Sequence, residues 1–210
     1  KGSKAPAEPA PAATQHGPDL ATVGARVNAS YLRRFLADPC GSEPGTTMPD
    51  LLRDLADDER TAAAQQLADY VRSFSPPAAA PAAASIEPTS SQRGRELYHT
   101  LGCAMCHAPY DGVGDAPVGH SAPMAPLAAK YPGSALREFL LAPLVARPSG
   151  RMPDLGLTAS EADDLAHFLH ASTPAADPEP ALPPPDAAQV ALGRARFAER
   201  GCVHCHALAD

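Results

Sequence analysis

Four of the five cysteines lie in two copies of one motif, at 103–107 (CAMCH) and 202–206 (CVHCH). C-x-x-C-H is the attachment signature of c-type haem. Each pair of thiols lies on one short turn, so each thiol can form a thioether with one haem vinyl group, and the adjacent histidine can direct its imidazole at the iron. The predicted attachment residues are Cys103, Cys106, Cys202 and Cys205, and the predicted axial iron ligands next to them are His107 and His206.

Two other kinds of cysteine site fit the spacing less well. Paired C-x-x-C motifs that bind zinc normally lie 15–20 residues apart, whereas these are separated by almost a hundred. A thioredoxin-like redox pair requires a βαβ context, which the sequence does not indicate. A structural zinc-binding module is therefore a less favoured alternative. The fifth cysteine, Cys40, is interpreted as a lone thiol.

Two internal repeats organise the chain. Residues 17–51 align without a gap with 121–155, and both copies end in Met-Pro-Asp-Leu, which places Met48 opposite Met152. Residues 94–107 align in the same way with 193–206. The central block contains both halves of this unit, the first block only the back half and the last block only the front half. We therefore expect the chain to be cut at both ends from a longer tandem array.

Proline marks the boundaries between these blocks. The chain has 25 prolines, many of them in Pro/Ala-rich stretches that bury too little apolar surface to fold. The predicted organisation is the back part of a first domain at 1–75 with a Pro/Ala-rich lead-in at 1–16, a linker at 76–88, a complete domain at 89–172, a linker at 173–187 and the front part of a further domain at 188–210.

The patterns within each block are helical. Ser134 is a plausible N-cap for a short helix through Leu141, and Thr158 and Glu161 form a capping box that opens a longer one. In the latter helix the apolar residues Ala162, Leu165, Phe168 and Leu169 fall at helical spacing. Its counterpart is predicted at 58–74, and a further helix at 94–101 leads into the first attachment motif. No alternating strand pattern occurs, so the predicted fold class is all-α.

Composition excludes some functions. The formal net charge is −7, which disfavours a nucleic-acid partner, and no apolar run reaches the roughly 18 residues that a transmembrane helix needs. Residues 1–15 do not have the apolar core of a signal peptide. The chain does not begin with Met, and a processed or truncated N-terminus would look the same.

The motifs resemble bacterial c-type cytochromes of the mono-haem, helical kind, and the segments PGTTMPDL and PSGRMPDL look like the tandem multi-domain cytochromes of planctomycete-type bacteria. The resemblance covers the three ordered blocks but not the linkers. It implies helical domains, each built around a covalently attached haem c, whose first and last helices cross. It also implies a proline that supplies a carbonyl to the proximal imidazole, a role that fits Gly17-Pro18 and that Pro123, preceded by Ala122, would take in the central block.

In the same family a methionine closes the far side of the iron. On this basis Met152 is the predicted distal ligand for the haem of His107, and Met48 that for a haem attached upstream of Lys1. Alternatives are a core methionine, the commoner role of Met in general, and bis-histidine ligation through His120, which aligns with His16.

An iron with both axial positions filled has no open site for a substrate, so the predicted function is one-electron transfer in a multi-haem cytochrome rather than catalysis. The predicted partners are redox proteins and neighbouring haem domains of the same polypeptide. An alternative is the electron-relay region of a larger haem enzyme, such as a di-haem peroxidase or a dehydrogenase. Because this family acquires its haem after export, the predicted location is the bacterial periplasm or cell surface.

Overall fold

The computed structural model describes residues 17–75, 88–107, 124, 127–131, 134–147, 150, 152–172 and 183–208. Within these residues the chain forms helices and no strand, as the sequence predicts. The helices are α1 (Val23–Arg26), α2 (Ala29–Ala37), α3 (Pro39–Ser42), α4 (Asp57–Arg72), α5 (Pro88–Thr100), α6 (Leu127–Lys130), α7 (Ala135–Leu141), α8 (Pro143–Ala146), α9 (Ala159–Ser172) and α10 (Ala187–Glu199). None of these helices is long and apolar enough to cross a membrane.

The predicted helices are present, with shifts of up to six residues at their ends. The capping box at the start of α9 forms, since the Glu161 N–H donates to Thr158 Oγ1 at 3.3 Å and the Thr158 N–H donates to Glu161 Oε2 at 2.8 Å. Helix α5 begins at Pro88, six residues before the predicted start, because the fixed φ of proline suits the first turn of a helix.

Helices α5 and α9 cross in the central unit, by which we mean the described residues of 88–172. At the crossing, a Cβ added to Gly94 would lie 1.9 Å from the carbonyl oxygen of Asp164, so only glycine allows the two backbones to approach this closely. Tyr98 packs against Phe168 with ring centroids 5.4 Å apart. The core beneath the crossing draws only on residues of this unit.

Helices α4 and α10 cross in the same manner, although they lie far apart in the sequence. A Cβ added to Gly193 would lie 2.0 Å from the carbonyl oxygen of Gln66, and Phe197 packs against Tyr70 at 5.5 Å. One core cluster joins both segments: it contains Leu52, Ala63, Ala64, Leu67 and Tyr70 from the first and Phe197 and Cys202 from the last. We call residues 17–75 with 183–208 the composite unit.

A polar junction joins the two units. Asn28 donates its backbone N–H to the Lys130 carbonyl at 2.8 Å and its side-chain amide to the carbonyls of Ala128 and Ala129, so it caps the C-terminal end of α6. Lys130 forms an ion pair with Glu43, which also accepts a hydrogen bond from Tyr31. Burial lowers the pKa of Lys130, and the charge of Glu43 opposes that shift.

Candidate haem-attachment sites

The first attachment motif forms a tight turn at the end of α5. Gly102 has a φ of +79°, a left-handed conformation that glycine adopts without strain, and it turns the chain into a 3₁₀ turn at Cys103–Met105. The Cys103 carbonyl accepts hydrogen bonds from the N–H groups of Cys106 at 3.1 Å and His107 at 2.9 Å. This turn therefore brings both thiols and the imidazole to one short stretch of backbone.

The second motif has the same local structure. Gly201 has a φ of +73° and precedes a 3₁₀ turn at Cys202–His204. The Cys202 carbonyl accepts from the N–H groups of Cys205 at 3.2 Å and His206 at 3.0 Å. Equal hydrogen bonding in two distant segments indicates that the motif and its preceding glycine set the turn locally.

The thiols of each turn differ in exposure. Cys103 and Cys202 face their cores and are at least half-buried, whereas Cys106 and Cys205 are exposed. Burial raises the pKa of Cys103 and of Cys202, which keeps each thiol protonated at neutral pH. None of the four is in a disulfide, so all of them have the chemical form that thioether formation requires.

His206 is held by backbone from the other segment of the composite unit. Its Nδ1–H donates to the Pro18 carbonyl, with 3.0 Å between Nδ1 and the oxygen. This hydrogen bond places the proton on Nδ1 and leaves the lone pair of Nε2 available for a metal. A Cβ added to Gly17 would lie 2.6 Å from the ring atoms Cε1 and Nδ1, so glycine is needed for the backbone to pass the imidazole.

The sequence predicts Gly17-Pro18 as a family motif but does not assign it to His206, which is almost 190 residues away. Three residues named in the sequence analysis lie outside the described residues: Pro123, which is the predicted counterpart of Pro18 near His107, and the histidines of the alternative ligation, His16 and His120. His107 is described and half-buried, and its carbonyl accepts a hydrogen bond from the Tyr98 hydroxyl at 3.2 Å.

Met152 is partly buried and packs against the core of the central unit, together with Cys103 and Ala104 of the attachment turn. The predicted distal methionine and the predicted attachment turn therefore border the same apolar region. Met105 lies within the turn, and its side chain is 81% exposed. Met124 packs against the same core, just as the aligned Leu20 packs against that of the composite unit.

Met48 is also half-buried, and the segment that follows it lies against the second attachment turn. Leu51 and Leu52 pack in the core cluster that contains Cys202. Arg200, two residues before Cys202, donates to the Leu51 carbonyl at 3.2 Å and forms an ion pair with Asp54 at 2.7 Å. Cys40, the remaining cysteine, is exposed.

The comparison with known families bears on the central unit. A model of the cytochrome c family matches residues 91–173. The match supports a cytochrome c domain in this segment. The all-α cytochrome c fold, the covalent attachment of haem c and a function as an electron carrier follow for this segment. No curated protein matched the chain, and no solved structure matched it either.

The residues present fit a covalently bound haem. Each turn offers two free thiols and a histidine in the order that haem attachment requires. In the composite unit the Nδ1 hydrogen bond would leave Nε2 of His206 free to bind a haem iron, as second-shell partners of metal-bound histidines do. In the described residues no three His, Cys, Asp or Glu side chains come together in a way that could hold a metal ion.

Proposed function

We propose that the protein is a multi-haem c-type cytochrome that transfers single electrons, with one haem attached to Cys103 and Cys106 and a second attached to Cys202 and Cys205. The observation that carries this proposal is the equal hydrogen-bonded geometry of the two attachment turns. The family match covers only the first of them. The haem supplies the one-electron couple, and a His/Met ligand pair gives it a comparatively high reduction potential.

The junction between the units supports electron exchange between haems in a defined arrangement. Asn28 and Glu43 of the composite unit hold Lys130 and the end of α6 in the central unit through hydrogen bonds and an ion pair. Because buried polar contacts have restricted geometry, this junction favours a relay over domains that move freely on tethers. The predicted linkers lie mostly outside the described residues.

The proposed location is the bacterial periplasm or cell surface, because cytochrome c domains are typically extracytoplasmic. The proposed partners are soluble or membrane-bound redox proteins. With a formal charge of −7, the protein attracts a positively charged docking surface more strongly at low than at high ionic strength.

Haem content tests this function. The protein, produced with the haem-attachment machinery, is expected to show a c-type pyridine haemochrome spectrum and a mass that corresponds to two haems per chain. Cys202→Ser/Cys205→Ser (the central-haem variant) and Cys103→Ser/Cys106→Ser (the terminal-haem variant) should each retain one haem. Zinc without iron in the metal analysis, or one haem in the unaltered protein, would contradict the proposal.

A further inference from the structure

We infer that the second haem site is assembled from two segments more than a hundred residues apart, so that residues 17–75 and 183–208 form one haem-binding unit in which His206 and Met48 are ligands of the same iron. This inference rests on the proposed function and specifies its second site. It replaces the expectation that the first and last blocks belong to two different incomplete domains.

The two segments of the composite unit share one core. Leu67 and Tyr70 of α4 lie in the same buried cluster as Phe197 of α10 and the attachment cysteine Cys202. No buried residue of this cluster is more than 9% exposed. Apolar area removed from water on this scale stabilises the pairing of the two segments. Among the described residues, the core of the central unit contains no residue of either segment.

The two helix crossings match residue by residue. Gly193 of α10 faces Gln66 and Tyr70 of α4, as Gly94 of α5 faces Asp164 and Phe168 of α9. The front helix, which leads into the attachment turn (α5 or α10), therefore crosses the back helix (α9 or α4) at the same positions in both units. Only their order along the chain differs, with the front half first in the central unit and last in the composite unit.

This crossing also bears on the alternative partner for Met48. A front helix from a domain upstream of Lys1 would need the face of α4 that carries Gln66 and Tyr70. That face is covered by α10 at a separation that leaves no room even for a methyl group on Gly193. Two front helices cannot occupy it at once, so α10 supplies the attachment motif that belongs with α4.

The 17–20 segment contacts the second attachment turn through hydrogen bonds. The Gly17 N–H donates to the Cys205 carbonyl at 2.9 Å, and the Leu20 N–H donates to the Ala207 carbonyl at 3.0 Å. Between them the Pro18 carbonyl accepts from His206 Nδ1. Three hydrogen bonds thus join the second attachment turn to a segment that also leads into α1 and α4, and one of the three is made by the imidazole.

Arg200 joins the segment after Met48 to the same site. Arg200 connects the end of α10 to the Leu51 carbonyl and to Asp54, three to six residues after Met48. Met48 is 16 residues before Ala64 of α4, whereas Met152 is 10 residues before the corresponding Ala162 of α9. The additional residues, which include Leu52 and Leu55, pack against the composite core.

The test uses the full chain carrying one haem at a time and reads the sulfur-to-iron charge-transfer band of the ferric protein. In the terminal-haem variant, Met48→Ala should abolish the band and Met152→Ala should leave it unchanged. In the central-haem variant the result should be reversed, with Met152→Ala abolishing the band. An unchanged band in the terminal-haem variant with Met48→Ala would overturn the inference.

Loss of the band through misfolding is distinguished by Met48→His in the terminal-haem variant. A histidine at this position should restore a low-spin spectrum without the sulfur band, which a merely structural methionine would not do. A high-spin spectrum from Met48→His with unchanged helical circular dichroism would contradict ligation. Because thioethers keep the haem attached, mass spectrometry should show one haem in each of these variants.

Sedimentation determines whether both ligands come from one chain. The inference requires a monomer that keeps the band on tenfold dilution, whereas a dimer with a concentration-dependent band would assign Met48 to a second copy and overturn it. Failure of this inference leaves two attached haems in place, whereas failure of the proposed function removes a haem from the unaltered protein. The two failures are therefore distinguishable.

Discussion

The central and composite units contain the same crossing of two helices and the same attachment turn, but the chain connects these elements in a different order. In the central unit the chain runs from the attachment turn through α7 to α9, so the elements follow one another in sequence. In the composite unit the attachment turn comes after α10, and the elements that face it belong to 17–75. The comparison teaches that the helix crossing and the attachment turn specify this architecture, whereas the order of its halves does not.

The residues at the two crossings are related but not identical. Tyr98 packs on Phe168 in the central unit, whereas Phe197 packs on Tyr70 in the composite unit. The tyrosine is therefore on the front helix α5 in the first case and on the back helix α4 in the second. The central crossing carries an ion pair between Arg93 and Asp164 at 2.7 Å. At the equivalent of Asp164 the composite unit has Gln66, which accepts a hydrogen bond from Arg196.

The largest predicted effect comes from closing the space at either crossing. Gly94→Ala should destabilise the central unit and Gly193→Ala the composite unit, each by at least about 2 kcal/mol, because a Cβ would overlap a backbone carbonyl. Glycine to alanine in a helix otherwise stabilises by about 0.5–1 kcal/mol, so the predicted sign is opposite to helix propensity. Denaturant titration of each single-haem variant, followed by its charge-transfer band, measures the change.

Ala195→Ser is the matched control for Gly193→Ala, since residue 195 is exposed on the same helix. It should alter the free energy of unfolding by less than about 0.5 kcal/mol. If Gly193→Ala behaved like this control, the equivalence of the two crossings would be lost.

A smaller effect is expected at the imidazole of His206. Gly17→Ala should displace the backbone that accepts the Nδ1 hydrogen bond, because the added Cβ would overlap the ring. The imidazole then becomes a less basic ligand, so the reduction potential of the terminal-haem variant should rise, by an amount on the order of tens of millivolts if the bond contributes about 1 kcal/mol. Redox titration measures this shift.

Ala62→Ser, at an exposed position of α4, serves as the control and should leave that potential unchanged. Gly17→Ala in the central-haem variant should also have no effect on the potential. A shift there, or a fall in the terminal-haem variant, would argue against a role for Pro18 in holding His206.

The smallest predicted difference concerns how the stability of each unit falls at low pH. The hydrogen bond from Arg93 holds the pKa of Asp164 below its usual value of 3.8. Because the folded-state pKa is lowered, the pair stabilises the fold above the unfolded-state pKa and loses that contribution as pH falls through the folded-state pKa. Asp164→Asn in the central-haem variant should therefore reduce stability at pH 7 and flatten its decline below about pH 4.

Unfolding in urea at pH 7 and at pH 3 checks this prediction. Gln66→Asn, the corresponding change in the terminal-haem variant, introduces no titrating group and should leave the slope of stability against pH unaltered. An equal change of slope in both units would mean that Arg93 and Asp164 are not the source of the difference.

Several local features could be predicted because neighbouring residues determine them. The attachment turn requires only C-x-x-C-H and a preceding glycine, and it forms with the same hydrogen bonds in two surroundings. The capping box at Thr158 depends on residues three apart in the chain. The apolar positions of α9, including Leu165 and Phe168, are buried as their spacing predicts.

The junction between the units could not be predicted, since it depends on single polar residues that have no periodic pattern. Asn28 donates hydrogen bonds to carbonyls about a hundred residues away, and Lys130 forms an ion pair with Glu43 of the other unit. Only the folded arrangement shows that these groups satisfy one another when they are removed from water.

The sequence by itself determined that the chain is helical, that segments of it repeat and that it carries two C-x-x-C-H motifs, because each of these depends on residues close together in the chain. It did not determine which front half packs with which back half. The repeats present similar apolar faces, so the local pattern of α10 is compatible with any α4-like or α9-like helix. The tertiary structure decided the pairing through close packing of Gly193 on Gln66 and through the hydrogen bond between His206 and Pro18.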